Sequence, residues 1–169
     1  MADVRIEHAF DCSEETYWSK IFFDDEYNRR LFLDALAFPV WKQISSTDSE
    51  SELKRSIEVV PKTGDLPGAL KKLVGDGIGY REDGVFDKKA RRYKTKITTN
   101  KLSDKLSIGG VLYTQAQGDR RCKRIFDCTV TASIFGVGGM IEKRVISDMQ
   151  ESYGKAARFT NEFIREKGL

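Results

Sequence analysis

The spacing of hydrophobic and polar residues alternates between two periods along the chain. VRIEHAF sets Val4, Ile6, His8 and Phe10 against Arg5, Glu7 and Ala9, the pattern of a strand with one buried face. Two short helices follow. In DCSEETYWSKIF, Ser13 stands at an N-cap position, with Glu14 and Glu15 where the helix dipole favours acids. In DDEYNRRLFLDAL, Tyr27, Leu31 and Ala35 recur every four residues on one face. After Pro39 alternation returns: FPVWKQISSTD and SELKRSIEVVP predict a hairpin turning at 48–50, with Leu53, Arg55, Ile57 and Val59 on a shared face. Residues 63–77 read as a glycine-flanked loop carrying a short amphipathic helix. Four more strands are predicted at 77–87, 90–100, 105–117 and 120–134, separated by turn-prone residues. From Gly138 to Lys167 the period is helical. Ile141, Val145, Met149, Tyr153, Ala156, Thr160 and Phe163 step by fours and threes along roughly 45 Å.

This order, β-α-α-β-β-β-β-β-β-α, predicts one α+β domain over residues 1–169. Its short connections make consecutive strands antiparallel neighbours. Seven strands are too many to stay flat, so the sheet must curl, and its concave face needs a cover. Only the terminal helix is long enough. A curved sheet wrapped around one helix either fills its interior with side chains or keeps an internal cavity. Candidate lining residues are Tyr27 and Leu31 at one end. From the strands come Trp41, Leu53, Arg55, Ile57, Tyr80, Tyr93, Ile97, Leu112, Phe126 and Val130, and from the helix Ile141, Val145, Met149 and Tyr153. Packing of these apolar side chains as plain core explains each of them equally well.

Arg55 shares its face with three aliphatic residues, so its phase points it inward. A buried guanidinium needs a partner: Glu82, Asp127 or the head group of an acidic ligand. Leu66, Leu70, Leu73 and Val74 lie in the glycine-flanked segment, which reads either as a lid over an opening or as a solvated loop with one apolar side.

Composition narrows the chemistry. Hydrophobic residues make up 40% and charged residues 33%, and no apolar run is long enough to span a bilayer. The N-terminus lacks the basic start and apolar core of a signal peptide, so a cytoplasmic protein is expected, and a monomer. Cys12, Cys122 and Cys128 lack metal-site spacing and read as free thiols; neither a metal nor a cofactor is expected. His8 is the single histidine and reads as a strand residue packed near an edge. Carboxylate pairs fall at helix starts, and no nucleophile elbow or zinc-binding pattern occurs. No catalytic residue is assigned, and a non-enzymatic role is favoured.

The net charge of +3 does not point to nucleic acid. Its basic clusters, KKARRYKTK at 88–96 and RRCKR at 120–124, read as an outer sheet surface, solvated or drawn to anionic membrane. In FGVGGMIEKR, isoleucine stands where a dinucleotide fingerprint wants its third glycine, and the P-loop lysine is missing. Glu142 near the helix start would also repel phosphate. These glycines read as a junction between strand and helix.

The order of elements, the junction Val137, Gly138, Gly139, Ile141 and Glu142, and the long terminal helix resemble the START-like superfamily. That superfamily has the helix-grip fold, shared by the Bet v 1 allergens and the polyketide cyclases. Within it, DLPGALKKLVG and SYGKAARFTNEFIREKGL resemble a bacterial family known only as a domain of unknown function, family 2505. Phe135 departs from the proline many relatives carry there. The resemblance implies a cavity between sheet and helix that holds a hydrophobic molecule such as a lipid or sterol, for binding or intermembrane transfer. A cyclase or aromatase using Arg55, Tyr93 and Glu82 is the alternative. A module that docks through its basic exterior is the third reading.

Overall fold

The computed structural model describes the whole chain, Met1–Leu169. Strand β1 (Ala2–Phe10) leads into α1 (Glu14–Thr16), where the Ser13 side chain accepts from the Thr16 N–H. The helix then widens into a π-helical turn over Tyr17–Phe22. Helix α2 (Asp25–Arg29), capped by the Asp24 carboxylate on the Tyr27 N–H, widens likewise over Arg30–Ala35. The local pattern predicts plain α-helices. The extra residue per turn in a π segment lets the consecutive bulky residues Tyr17 and Trp18 both turn inward, with Ile21 beside them.

The remaining elements are β2 (Val40–Asp48), β3 (Glu52–Val60), α3 (Gly68–Val74), β4 (Tyr80–Asp87), β5 (Arg92–Thr99), β6 (Leu106–Ala116), β7 (Cys122–Ala132) and α4 (Gly138–Lys167). Seven strands form one sheet in the order β1-β7-β6-β5-β4-β3-β2, every pairing antiparallel. This is the helix-grip arrangement. Along the edge strand β2 only Trp41 is buried.

Register explains how large rings pack across the concave face. One row across it reads Arg55, Gly84, Thr95, Gly110, Cys128, so its middle carries only small side chains. Large rings from neighbouring rows lean over that gap. A Cβ on Gly84 would fall 1.8 Å from the Tyr93 hydroxyl oxygen, so Tyr93 can cross the sheet only because residue 84 has no side chain.

The junction into α4 is equally tight. A Cβ on Gly138 would meet the Ala132 carbonyl oxygen at 2.3 Å. Gly138 donates instead to the Ile134 carbonyl at 2.9 Å. Glu142, in the second turn of the helix, folds back and accepts from the Ala132 N–H at 2.9 Å. The helix start is thereby fastened to the end of β7.

Candidate functional site

Helix α4 is buried at its two ends and loosely covered between them. Ile141 and Glu142 are buried near its start, as are Ala156, Ala157, Thr160, Phe163 and Ile164 in its second half. Val145, Met149, Ser152 and Tyr153 are only half-buried, although they face the sheet. Beneath them lies a cavity of about 270 Å³.

Its floor is formed by Ile57, Tyr80, Tyr93, Ile97, Leu112 and Phe126, its roof by Val145, Met149 and Tyr153, and Tyr27 and Leu31 stand at one end, with Arg55 among them. The sequence singles out all of these. Phe22, Phe32, Phe38 and Arg124, which it does not, also line the space. Trp41, Leu53, Val130 and Ile141 fall elsewhere. Trp41 lies near the edge of the sheet and stacks on Phe32 at 6.0 Å. Leu53 is half-buried toward the turn of the β2–β3 hairpin. Val130 is fully buried in packed core, and Ile141 lines a smaller cavity of about 170 Å³.

That smaller cavity adjoins the first through Phe38, Pro61, Ile78, Asp148 and Ser152. Leu66, Leu70 and Val74 of the 63–77 segment cover it, while Leu73 faces outward. The segment is held by polar ties. Lys101 Nζ donates to the Val74 and Gly77 carbonyls at 2.5 and 3.0 Å, and Arg144 donates to the Asp65 carbonyl at 2.8 Å.

Two guanidiniums enter the interior, in different electrostatic settings. Arg55 is 5% exposed; its phase puts it inward as expected. It donates to the Phe22 carbonyl at 3.2 Å, lies over the rings of Phe22 and Phe23 at 4.9 and 5.1 Å, and faces Glu82 at 3.9 Å. Glu82 also accepts from the Tyr93 hydroxyl at 2.9 Å. The other candidate partner, Asp127, is on the convex face, paired with Arg5 at 2.6 Å. Alternation decides this: Asp127 has the opposite phase to Phe126.

Arg124 is 4% exposed and lines the cavity, so it does not belong to the exposed basic surface. Its guanidinium lies over the rings of Phe10 and Tyr153 at 5.0 and 4.7 Å. Its hydrogen-bond contact is with Nδ1 of His8, its register partner on β1, at 3.4 Å. No carboxylate lies within ion-pair distance, and its Nε has no partner. Burial, then the neighbouring charges of Arg124 and Arg158, hold the His8 imidazole below its usual range, so it stays neutral and accepts.

Asp148, paired with Arg144 at 2.9 Å, stands at the rim, and the tyrosine hydroxyls are neutral. Burial pushes the hydroxyls of Tyr17, Tyr27, Tyr80, Tyr93 and Tyr153 above the ordinary tyrosine range. Thr160 donates to the Ala156 carbonyl, so Tyr27 is the donor in the 2.7 Å bond to Thr160. The Tyr17 hydroxyl is buried and unpartnered. Arg92, Lys94 and Lys96 are exposed together on the convex face, as alternation predicts. The three cysteines are buried and free. No helix is long and apolar enough to cross a membrane.

Solved structures share this architecture at low identity. A protein of Thermus thermophilus superposes with a TM-score of 0.64 at 15% identity, covering 99% of this chain and 100% of that one. The Zhui aromatase/cyclase of Streptomyces gives 0.64 at 7% identity, covering 99% and 96%. Norcoclaurine synthase of Thalictrum flavum, in complex with dopamine and hydroxybenzaldehyde, gives 0.64 at 13% identity, covering 98% and 87%. No curated protein matches the sequence. A family described as protein of unknown function DUF2505 matches residues 5–164, nearly the whole chain, and the chain therefore belongs to the DUF2505 family and carries its sequence on a helix-grip fold.

Proposed function

We propose that this protein binds a hydrophobic small molecule in the cavity between the sheet and α4. The observation that carries the reading is the uncovered middle of α4. Apolar side chains there face a cavity of about 270 Å³ whose lining is largely hydrophobic, just below the usual ~300–1,000 Å³ of small-molecule sites. Removing that lining from water by filling the space with an apolar body is favourable at about 25 cal/mol per Å². Transfer between membranes extends the same reading, with 63–77 opening over the adjoining cavity as the ligand passes.

The test is native mass spectrometry of gently purified protein, followed by titration with a fluorescent apolar probe. A bound hydrophobic molecule, lost in a cavity-filling Met149→Trp variant that remains folded, supports the reading. Failure to bind any member of a lipid, sterol and polyketide panel sinks it.

A second reading rests on the Tyr93–Glu82–Arg55 cluster inside the same cavity and on the likeness to an aromatase/cyclase. Here the cavity folds a reactive hydrophobic chain and these groups direct its closure. Arg55→Met or Tyr93→Phe should then change the product pattern obtained with a polyketide-type substrate. Unchanged turnover and products in both variants would refute it.

A further inference from the structure

The cavity contains one charge that the protein itself does not neutralise. Arg55 has Glu82 within 3.9 Å; Arg124 has no carboxylate within reach. Its register partners on either side are His8 and Thr114. The imidazole is neutral, and the Thr114 hydroxyl is already engaged, accepting from Trp18 and donating to Glu14. The rings of Phe10 and Tyr153 favour the cation through their faces and take up none of its N–H groups. Beside it, the buried Tyr17 hydroxyl faces the guanidinium, meets no partner in full hydrogen-bond geometry, and lines the same cavity. Buried donors are normally paired; the Tyr17 and Thr95 hydroxyls and the Nε atoms of Arg55 and Arg124 all line this cavity without a partner, and of the two guanidiniums only Arg124 also lacks a carboxylate, which marks the place where an acidic acceptor is missing.

From this we infer that the ligand is an amphipathic acid, with a carboxylate head on Arg124 and its apolar body under α4. This deepens the proposed binding function and rests on it. The geometry suits a carboxylate: a guanidinium presents a planar fork that meets two carboxylate oxygens at once, and such charge-assisted pairs are strongest where water is excluded. An alcohol or amine of the same body would leave the fork unmet or add a second cation beside the first. Arg124 would therefore determine specificity by charge, while the aromatic and aliphatic lining accepts the body.

The matched probes are decanoate, 1-decanol and decylamine, titrated into the full chain by calorimetry or by displacement of an apolar fluorophore. Decanoate should bind at least tenfold more tightly than decanol, and decylamine most weakly. In Arg124→Met, decanoate should lose at least tenfold in affinity while decanol keeps its own. Because that variant removes a buried unpaired cation, it should also melt no lower than the parent without ligand, which a merely structural arginine would not allow. A second readout needs no variant. In NMR spectra of the parent, the Arg124 side-chain Nε–H resonance should shift on adding decanoate and stay in place on adding decanol. Equal binding of decanoate and decanol overturns the acid assignment and leaves the cavity reading intact. Binding of decanoate that is unaffected in Arg124→Met, or leaves the Nε–H signal in place, shows that the head sits elsewhere and also overturns it. Binding of none of the probes overturns both.

Discussion

Replacing Glu82 by glutamine isolates the charge that balances Arg55. The amide keeps an acceptor for the Tyr93 hydroxyl and nearly the same volume, so the loss is electrostatic. At 3.9 Å and an effective dielectric of ~20, the attraction between the pair is about 4 kcal/mol. Removing one partner of a buried ion pair usually costs about 3–5 kcal/mol, because the other charge stays behind. Here the Phe22 carbonyl and two aromatic rings retain part of the cation's stabilisation, which lowers the expected cost to about 2–3 kcal/mol. With a urea m-value of about 2 kcal/mol per molar, the midpoint of unfolding should fall by about 1–1.5 M. The double variant R55M/E82Q removes both charges and should come back to within about 1 kcal/mol of the parent. A midpoint shift below about 0.3 M in E82Q would refute the pairing. So would a double variant as unstable as E82Q alone, because the stranded charge would then not be that of Arg55.

Other consequences are open to equally direct measurement. The folded-state pKa of His8 lies below its usual value of about 6.5, so the unfolded chain binds more protons as pH falls through that value, and stability must drop there. The stabilised carboxylates titrate below this window, so His8→Gln should flatten the melting temperature between about pH 7.5 and 5.5, and an unchanged slope would refute the assignment. Gly84→Ala should push the Tyr93 ring off the sheet and cost about 1–3 kcal/mol in chemical denaturation, less than additively with Tyr93→Ala; strict additivity would show that the two sites do not touch. Lys101→Met removes both ties to the end of α3 and should speed amide exchange over residues 63–77 without changing exchange in β6 and β7; equal protection in variant and parent would show the ties to be idle.

Much of this molecule is legible in periodicity. Seven alternating segments and one long helical stripe give the sheet, its antiparallel connections and its cover, because burial on one face imposes period 2 or 3.6 whatever the local propensity. The phase of Leu53 and Ile57 likewise turns Arg55 inward. Arg124 was equally accessible: it shares parity with Phe126 and Val130. Reading RRCKR as one block of surface charge hides this, since a cluster in sequence is divided between two faces in a strand. The same parity excludes Asp127 as a partner for Arg55. Other features do not appear until register is fixed. The row of small residues from Gly84 to Gly110 comes from three strands and cannot be recognised in any one of them. Nor does the apolar spacing of the first two helices reveal their π turns, which arise where bulky residues compete for one interior. Trp41 shows the limit of alternation: it gives the face of a strand without saying how far along the sheet the helix reaches.

A void and an unpaired cation both lower stability, and this fold places them side by side. Of the row from Gly84 to Gly110 only Thr95 lines the void, and a side chain added at Gly84 would displace the Tyr93 ring rather than fill the void. Neutralising Arg124 would require an inward acid on β1, β6 or β7, where the register instead places His8 and Thr114 next to it. Both deficits are ones that a single amphipathic acid would relieve at once. Linkage then makes the proposal quantitative. A ligand that binds only the folded chain adds RT ln(1 + [L]/Kd), about 2.7 kcal/mol at a hundredfold excess over Kd. On this reading decanoate should raise the melting temperature of the parent by several degrees at that excess, and decanol at the same concentration by clearly less. In R124M the difference between the two should vanish while the rise caused by decanol remains, because the methionine leaves the void in place and removes only the charge.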